Sequence, residues 1–375
     1  MIQIQIVDLN DKSQVMKFIK FPFKLYADCP LWVPPFIGEI KIMMNPKKHP
    51  FYGHSDAEFF LALDDGEIVG RIAVMENKPF NKYHDSRKAQ FYFFDSIDNR
   101  DVANALMESA FEWARKRNLV EMVGPKGLSP FDGYGILIEG FELRQMMIMM
   151  NYNYPYYPKL MENMGFVKAV DFVSGHLDMK TFDLPEKIHE ISRRVQERGT
   201  FKIKNFTSKK ELTSWAQRIG EAYNKTFVDN WEYYPLTDAE IKFALDNILV
   251  VAVPELIKII THKDEVVGFL FGFPDISAAL QRNRGRITPW GIIDMLLGLK
   301  RSKIISLNGV GILPEFQGRG GNALLYSEIH KTMTDFGYDE AEITQMANTA
   351  VQVRRDLKTI GATEYKNHRV YERKI

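Results

Sequence analysis

The chain of 375 residues contains one cysteine, Cys29, so no disulfide can form within it, and a reducing compartment, the cytoplasm, is expected. It also lacks an excess of either charge: a net charge of +1 and a pI near 7.7 leave no global field to attract nucleic acid or a membrane. Long apolar runs are missing. The stretch Asn247-Ile-Leu-Val-Val-Ala-Val-Pro254 is too short to span a bilayer, and Met1 to Leu9 alternates like a strand, without the basic-then-apolar opening of a signal peptide. The eight histidines form no pair at zinc-site spacing, so no metal is expected, and neither a GxSxG elbow nor a thiol-nucleophile signature around Cys29 is present.

What remains is a soluble globular composition, 45% apolar and 26% charged, at a length suited to two domains. The same plan occurs twice. Ile4, Ile6, Leu9, Lys12, Val15 and Phe18 match Phe201, Ile203, Phe206, Lys209, Leu212 and Trp215 at an offset of 197, each set reading as a strand followed by a helix. Asp64-Asp-Gly-Glu-Ile-Val-Gly70 answers Lys263-Asp-Glu-Val-Val-Gly268, a charged turn entering a strand, and helices stop at Gly165 and Gly361. The middles, around 122–150 and 275–303, do not keep this register. A helix starting near Pro185 and ending at Gly199 joins the halves, so the expected domains are 1–195 and 196–375.

The chemistry concentrates in Gly309-Val-Gly-Ile-Leu-Pro-Glu-Phe-Gln-Gly-Arg-Gly-Gly321, five glycines in thirteen residues. The spacing predicts a strand over 306–313, a turn at Pro314–Phe316, and a helix after Gly321 with Leu325, Ile329, Met333 and Phe336 on one face. Glycines between a strand end and a helix start leave free N–H groups and a positive dipole end, a site for phosphate. No Lys-Ser or Lys-Thr follows, so the P-loop pattern fails. The dinucleotide pattern is met by Gly318-Arg-Gly320-Gly-Asn-Ala323, but Asp339 and Glu340 precede the next strand instead of ending it, and about fifty residues remain for the rest of a sheet.

Leu313-Pro-Glu-Phe-Gln317-Gly-Arg-Gly320 resembles the pyrophosphate loop of the GNAT superfamily of N-acetyltransferases, Q/R-x-x-G-x-G/A after a strand, with Asn322 where the family has Gly or Ala. The resemblance covers about 200–375 and, more weakly, the first half. It implies an α/β chain of two tandem GNAT-like domains, each a mixed central sheet flanked by helices, as in the myristoyltransferases and Fem-type aminoacyltransferases. It implies acetyl-CoA or another acyl-CoA as donor, lying across a gap between splayed strands. Gln317, Gly318, Arg319, Gly320, Gly321 and Asn322 would hold the pyrophosphate, the strand near Ile312 the pantetheine, and Asn348 would cap the next helix. Arg354 or Arg355 could meet the nucleotide phosphates.

The tyrosine acid frequent in that family would fall at Leu357, or at Met161 in the first half, and neither can donate a proton. Glu342 and Asp275 are the candidate bases, with Glu315 in the loop turn a third. The first half has Asp95-Ser-Ile-Asp-Asn99 before its corresponding helix, acidic and without glycine, so only the second half is expected to bind the donor. Acceptor candidates are Asp132 in the turn-rich loop 124–135, Tyr156 among four tyrosines between 151 and 158, and Trp231 and Tyr233. The tyrosine cluster reads equally as aromatic packing between the halves, and Met146, Met147, Met149 and Met150 as core. The expected function is acyl transfer from an acyl thioester to a small-molecule or peptide amine by direct attack. A non-catalytic acyl-CoA sensor and a dinucleotide oxidoreductase are the alternatives. The sequence carries no signal for oligomeric state.

Overall fold

Both halves begin with a short alternating strand, an acidic or hydroxyl cap and an amphipathic helix. The computed structural model describes residues 1–146 and 150–375; residues 147–149, Met147 and Met149 among them, and the side chains of Val351, Gln352, Val353 and Asp356 lie outside that description. Asp11 accepts from the N–H groups of Ser13 and Gln14 to start one helix, and Ser208 accepts from Glu211 N–H to start the other.

The elements run β1 (Gln3–Ile6), α1 (Lys12–Leu25), α2 (Ile37–Met43), β2 (Asp56–Asp64), β3 (Glu67–Glu76), α3 (Lys78–Tyr83), β4 (Lys88–Ser96), α4 (Arg100–Arg115), β5 (Glu121–Gly124), β6 (Ile136–Glu139), α5 (Tyr157–Asn163) and β7 (Val167–Asp178). They continue with α6 (Glu186–Glu197), β8 (Lys202–Lys204), α7 (Lys209–Thr226), α8 (Asp238–Val251), β9 (Ile257–His262), β10 (Glu265–Pro274), α9 (Ser277–Asn283) and α10 (Pro289–Arg301). Then come β11 (Ile304–Ile312), α11 (Gly321–Asp335), β12 (Glu340–Ala347), α12 (Val351–Thr359) and β13 (Thr363–Lys374).

Two compact units result. One comprises Met1–Val173, Ser277–Met295 and Lys366–Ile375; the other comprises Ser174–Ile276 and Leu296–Tyr365. The division therefore falls at Val173, not at the expected boundary near 195. The reason is α6, whose buried Ile188, Ser192 and Val195 pack on α11 inside the second unit. The chain's last strand was expected to finish the second domain. Instead most of β13 completes the first unit, where Tyr371 to Lys374 pair antiparallel with Gly124 to Glu121 of β5.

The first unit orders its strands β1-β2-β3-β4-β5-β13, with β6 also on β13, and only β4–β5 is parallel. The second orders β12-β11-β10-β9-β8, and only β11–β12 is parallel. Each sheet packs its long helix on one face: Val102, Leu106, Ala110 and Trp113 of α4 are buried in the first, and Leu325, Ile329 and Met333 of α11 in the second. Truncating one of these aliphatic residues to alanine costs about 2–5 kcal/mol.

The duplication extends to backbone detail. In β4 two residues, Phe93 and Phe94, oppose one on β3, and in β11 Asn308 and Gly309 oppose one on β10. The bulged residue has positive φ in both strands, +49° at Phe93 and +78° at Gly309. Immediately after each bulged strand the chain makes the same bond, Ile97 N–H to Val69 C=O and Leu313 N–H to Val267 C=O, both 2.9–3.1 Å.

The tyrosines at 152, 154, 156 and 157 pack within the first unit, not between halves. Tyr154 and Tyr156 stack at 5.7 Å and Tyr156 and Tyr157 at 4.8 Å, while Tyr26 lies 5.0 Å from Tyr154. Beneath them Arg71 Nε donates to Asp95 at 2.7 Å, and Tyr26 hydroxyl donates to the same carboxylate at 3.0 Å. Met146 and Met150 are buried.

Candidate active site

Parallel pairing of β11 and β12 joins Ile304 through Leu307 to Glu340 through Ile343, and no further rung forms among the described residues although both strands run on. Where the strands part, β11 carries the bulge at Gly309, and Gln345 of β12 adopts φ of +43°, a left-handed conformation unusual for its type. At the apex Thr344 hydroxyl donates to Leu307 C=O at 3.4 Å. Beyond it, β11 remains paired with β10 as far as Ile312 opposite Gly268. Its other edge faces a gap.

The glycine loop follows that open strand. Pro314–Phe316 forms one 3-10 turn, Gln317 Nε2 donates to Ile312 C=O at 3.2 Å, and α11 starts at Gly321. Its N-cap is Gly320 in a left-handed conformation, φ +85°, which supplies no side-chain oxygen to the first turn. Gly318 is left-handed too, φ +72°, with nothing within 4 Å of where a Cβ would stand. Arg319 is exposed, its guanidinium 5.3 Å from the Phe316 ring centroid. The helix start thus carries the positive dipole end, and its N-cap residue contributes no side-chain oxygen to the first-turn N–H groups.

Glu342 pairs opposite Ser306, one rung before the fork opens, and accepts from Tyr365 hydroxyl at 2.5 Å. His176 lies close by, its ring 5.9 Å from Tyr365 and its Nε2 3.4 Å from Glu340. Sequence reasoning missed Tyr365, because it sought a tyrosine near the end of α12 and not on the strand that follows. Asp275 is not brought to the gap. Its N–H bonds Ile304 C=O at 2.9 Å, at the closed end of β11, opposite the loop. Asn348 was expected to cap α12, but that helix begins at Val351, leaving Asn348 in the preceding turn. Arg354 is bound to Glu364 at 2.7 Å, and Arg355 is exposed. Glu315 is exposed in the 3-10 turn.

Trp231 and Tyr233 fall between α7 and α8, where Tyr233 hydroxyl donates to Asn224 C=O at 2.6 Å. Asp132 and Tyr156 belong to the first unit. Tyr156 hydroxyl is engaged by Ser96 C=O at 2.6 Å. Asp132 accepts from Ser129 N–H at 2.8 Å, and burial still pushes its carboxyl up to about 6. Glu39, which carries no motif, is pushed up to about 7 by burial and by the neighbouring Asp132 charge.

No family model matches the chain. Two curated relatives align along nearly all of it. One, from Caulobacter vibrioides, is named bacterial ceramide synthase and is 26% identical over 381 residues, 99% of this chain and 98% of that protein. The other, protein YghO from Escherichia coli strain K12, is 26% identical over 371 residues, 97% and 94% of the two chains. Among solved structures, a tandem GNAT protein from the clavulanic acid biosynthesis pathway superposes with a TM-score of 0.55 at 11% identity, over 100% of this chain and 98% of that one. A probable N-acyltransferase from Enterococcus faecalis V583 superposes with a TM-score of 0.52 at 8% identity, over 100% and 73%.

Proposed function

We propose, on the premise of the tandem GNAT-like fold that this chain has, that its second unit binds an acyl-coenzyme A thioester and catalyses acyl transfer to an amine by direct attack. The observation that carries the reading is the conjunction, on one strand, of an open edge at the β11–β12 fork and an uncapped glycine helix start directly after it. Main-chain amides from Gln317 to Asn322 hold the pyrophosphate, with Arg319 beside its negative charge. The open edge of β11 up to Ile312 offers hydrogen bonds to the pantetheine amides.

The donor supplies an activated acyl carbonyl and a tolerable thiolate leaving group. The protein must remove a proton from the acceptor ammonium. Glu342 takes that role, oriented by the Tyr365 hydroxyl. Asp275, at the closed end of the strand, has no part in it. The relative named bacterial ceramide synthase, matched along 98% of its length, favours a long-chain amino alcohol as acceptor and a fatty acyl-CoA as donor over a peptide and acetyl-CoA. Trp231 and Tyr233, in the same unit as the glycine loop, are the acceptor-side candidates.

Calorimetry with acetyl-CoA and palmitoyl-CoA tests the first step, and thiol release with sphinganine tests the second. Uptake with release is expected. Indifference to both thioesters overturns the proposal, and uptake without release from any amine leaves a binding protein in place of an enzyme.

A further inference from the structure

Helix α10 is built inside out. In an amphipathic helix of a globular protein the apolar arc is buried. Here Trp290 is 80% exposed, Leu296 55%, Ile293 48%, Ile292 44% and Leu297 40%, and Ile287 just before the helix is 61% exposed. On a helical projection these five helix residues share one arc of about 160°. Gly291, the buried residue of the helix, lies on the opposite side against Asn283 and Thr288. Soluble chains expose apolar residues singly; a contiguous set of this size marks a surface that something covers.

Charge identifies the cover. Arg284 and Arg286 precede the helix, Lys300 and Arg301 end it, and all four are exposed. Among the described residues none of the four has an acidic partner. Asp294, the acidic residue of the helix, is already neutralised by Arg282 at 2.8 and 3.1 Å and held by Asn283 at 2.8 Å. The strip therefore reads basic, apolar, basic. A second copy of the chain is disfavoured, since parallel and antiparallel pairing alike would set cations against cations. At 13 residues the helix is about 20 Å long, and no helix among the described residues is long and apolar enough to cross a membrane. A helix with an apolar arc, an interfacial tryptophan and cationic ends instead lies in the plane of a bilayer surface.

We propose that α10 docks the protein on an anionic lipid bilayer, with Trp290, Ile293, Leu296 and Leu297 among the acyl chains and Arg284, Arg286, Lys300 and Arg301 on the headgroups. This stands on exposure and charge alone, and its test contains no thioester, so it can fail while the acyl-transfer reading survives, and the reverse.

The test is co-sedimentation of the full chain with vesicles of phosphatidylcholine alone and of phosphatidylcholine with 30 mol% phosphatidylglycerol. Binding to the anionic vesicles is expected, weakened by salt, and reduced roughly fivefold for each cation replaced by serine. The variant Leu296→Glu/Leu297→Glu should abolish it. Both positions are solvent-facing, so an unchanged melting temperature verifies the fold of the variant. Lys300→Ser/Arg301→Ser gives an independent reading. Equal binding to neutral and anionic vesicles, or to neither, overturns the proposal. So does self-association without lipid that Leu296→Glu/Leu297→Glu dissolves in analytical ultracentrifugation.

Discussion

The starts of α4 and α11 are corresponding places in a duplicated fold, and they have opposite fates. The helix cap comes two residues after the shared bond at Ile97, and seven residues after its counterpart at Leu313. At α4 the cap is Asn99, whose side chain accepts from Asp101 and Val102 N–H and closes the anion site with its own oxygen. At α11 the cap is glycine and the site stays open. The strands beside them differ in step. Past β4 the chain keeps its hold, with Lys126 N–H on Phe91 C=O at 2.9 Å, where β11 and β12 diverge. The acidic residue expected to repel phosphate in the first unit is spent otherwise: Asp95 is a buried partner of Arg71. The first copy fills its helix start with the Asn99 side chain, where the second has a glycine.

The largest expected effect comes from filling the open site. Gly318→Val places a side chain in free space but forces a left-handed valine, so acyl-CoA uptake measured by calorimetry should fall below detection with little change in melting temperature. Asn99→Gly, the reverse change at α4, should create no uptake. A Gly318→Val protein that binds normally would end the comparison.

Next is the scaffold pair. Arg71→Met leaves Asp95 buried without its cation, and denaturant unfolding should show a loss of about 3–5 kcal/mol. Thioester affinity of the remaining folded protein should stay within twofold. Smaller in free energy is the proposed base: Glu342→Gln should lower turnover about 100-fold, near 3 kcal/mol, with donor affinity retained. If turnover persists, the proton goes elsewhere.

The smallest effect concerns Asp132. Its folded carboxyl sits at about 6 against an ordinary 3.8, so the folded state binds its proton more tightly than the unfolded one. The associated stability is present below pH 4 and lost as pH rises through 6. Asp132→Asn should therefore gain about 2 kcal/mol over wild type at pH 8 and nothing at pH 3.5, read from unfolding midpoints across that range.

Much of this could be read along the chain. The strand–helix openings, the charged hairpins, the glycines ending α5, α12 and α6, and the glycine loop all depend on neighbours within a few residues. The bulge at Gly309 was legible because glycine marks a backbone that must turn; its twin at Phe93 was not. There a positive φ, costing phenylalanine about 1–2 kcal/mol, is held by the Phe18 ring at 5.9 Å and the Arg71 guanidinium at 5.1 Å, residues distant in sequence. Asp275 looked equivalent to Glu342 because both are carboxylates beside strands, and only the register shows which end of β11 each occupies. The net charge of +1 likewise concealed a cationic, apolar strip, since the whole-chain sum averages over places.

By itself the sequence determined which segments become strands and helices, that the plan is doubled, and that one helix start carries glycine in place of a capping side chain. These are local matters, set by periodicity, capping chemistry and glycine's freedom at φ above zero. The tertiary structure alone decided that β13 completes the first sheet, that Tyr365 meets Glu342, and that the apolar arc of α10 faces outward. A strand's pattern states which face it buries but not which strand it joins, and a helix's pattern states that it has an apolar side but not what lies against it.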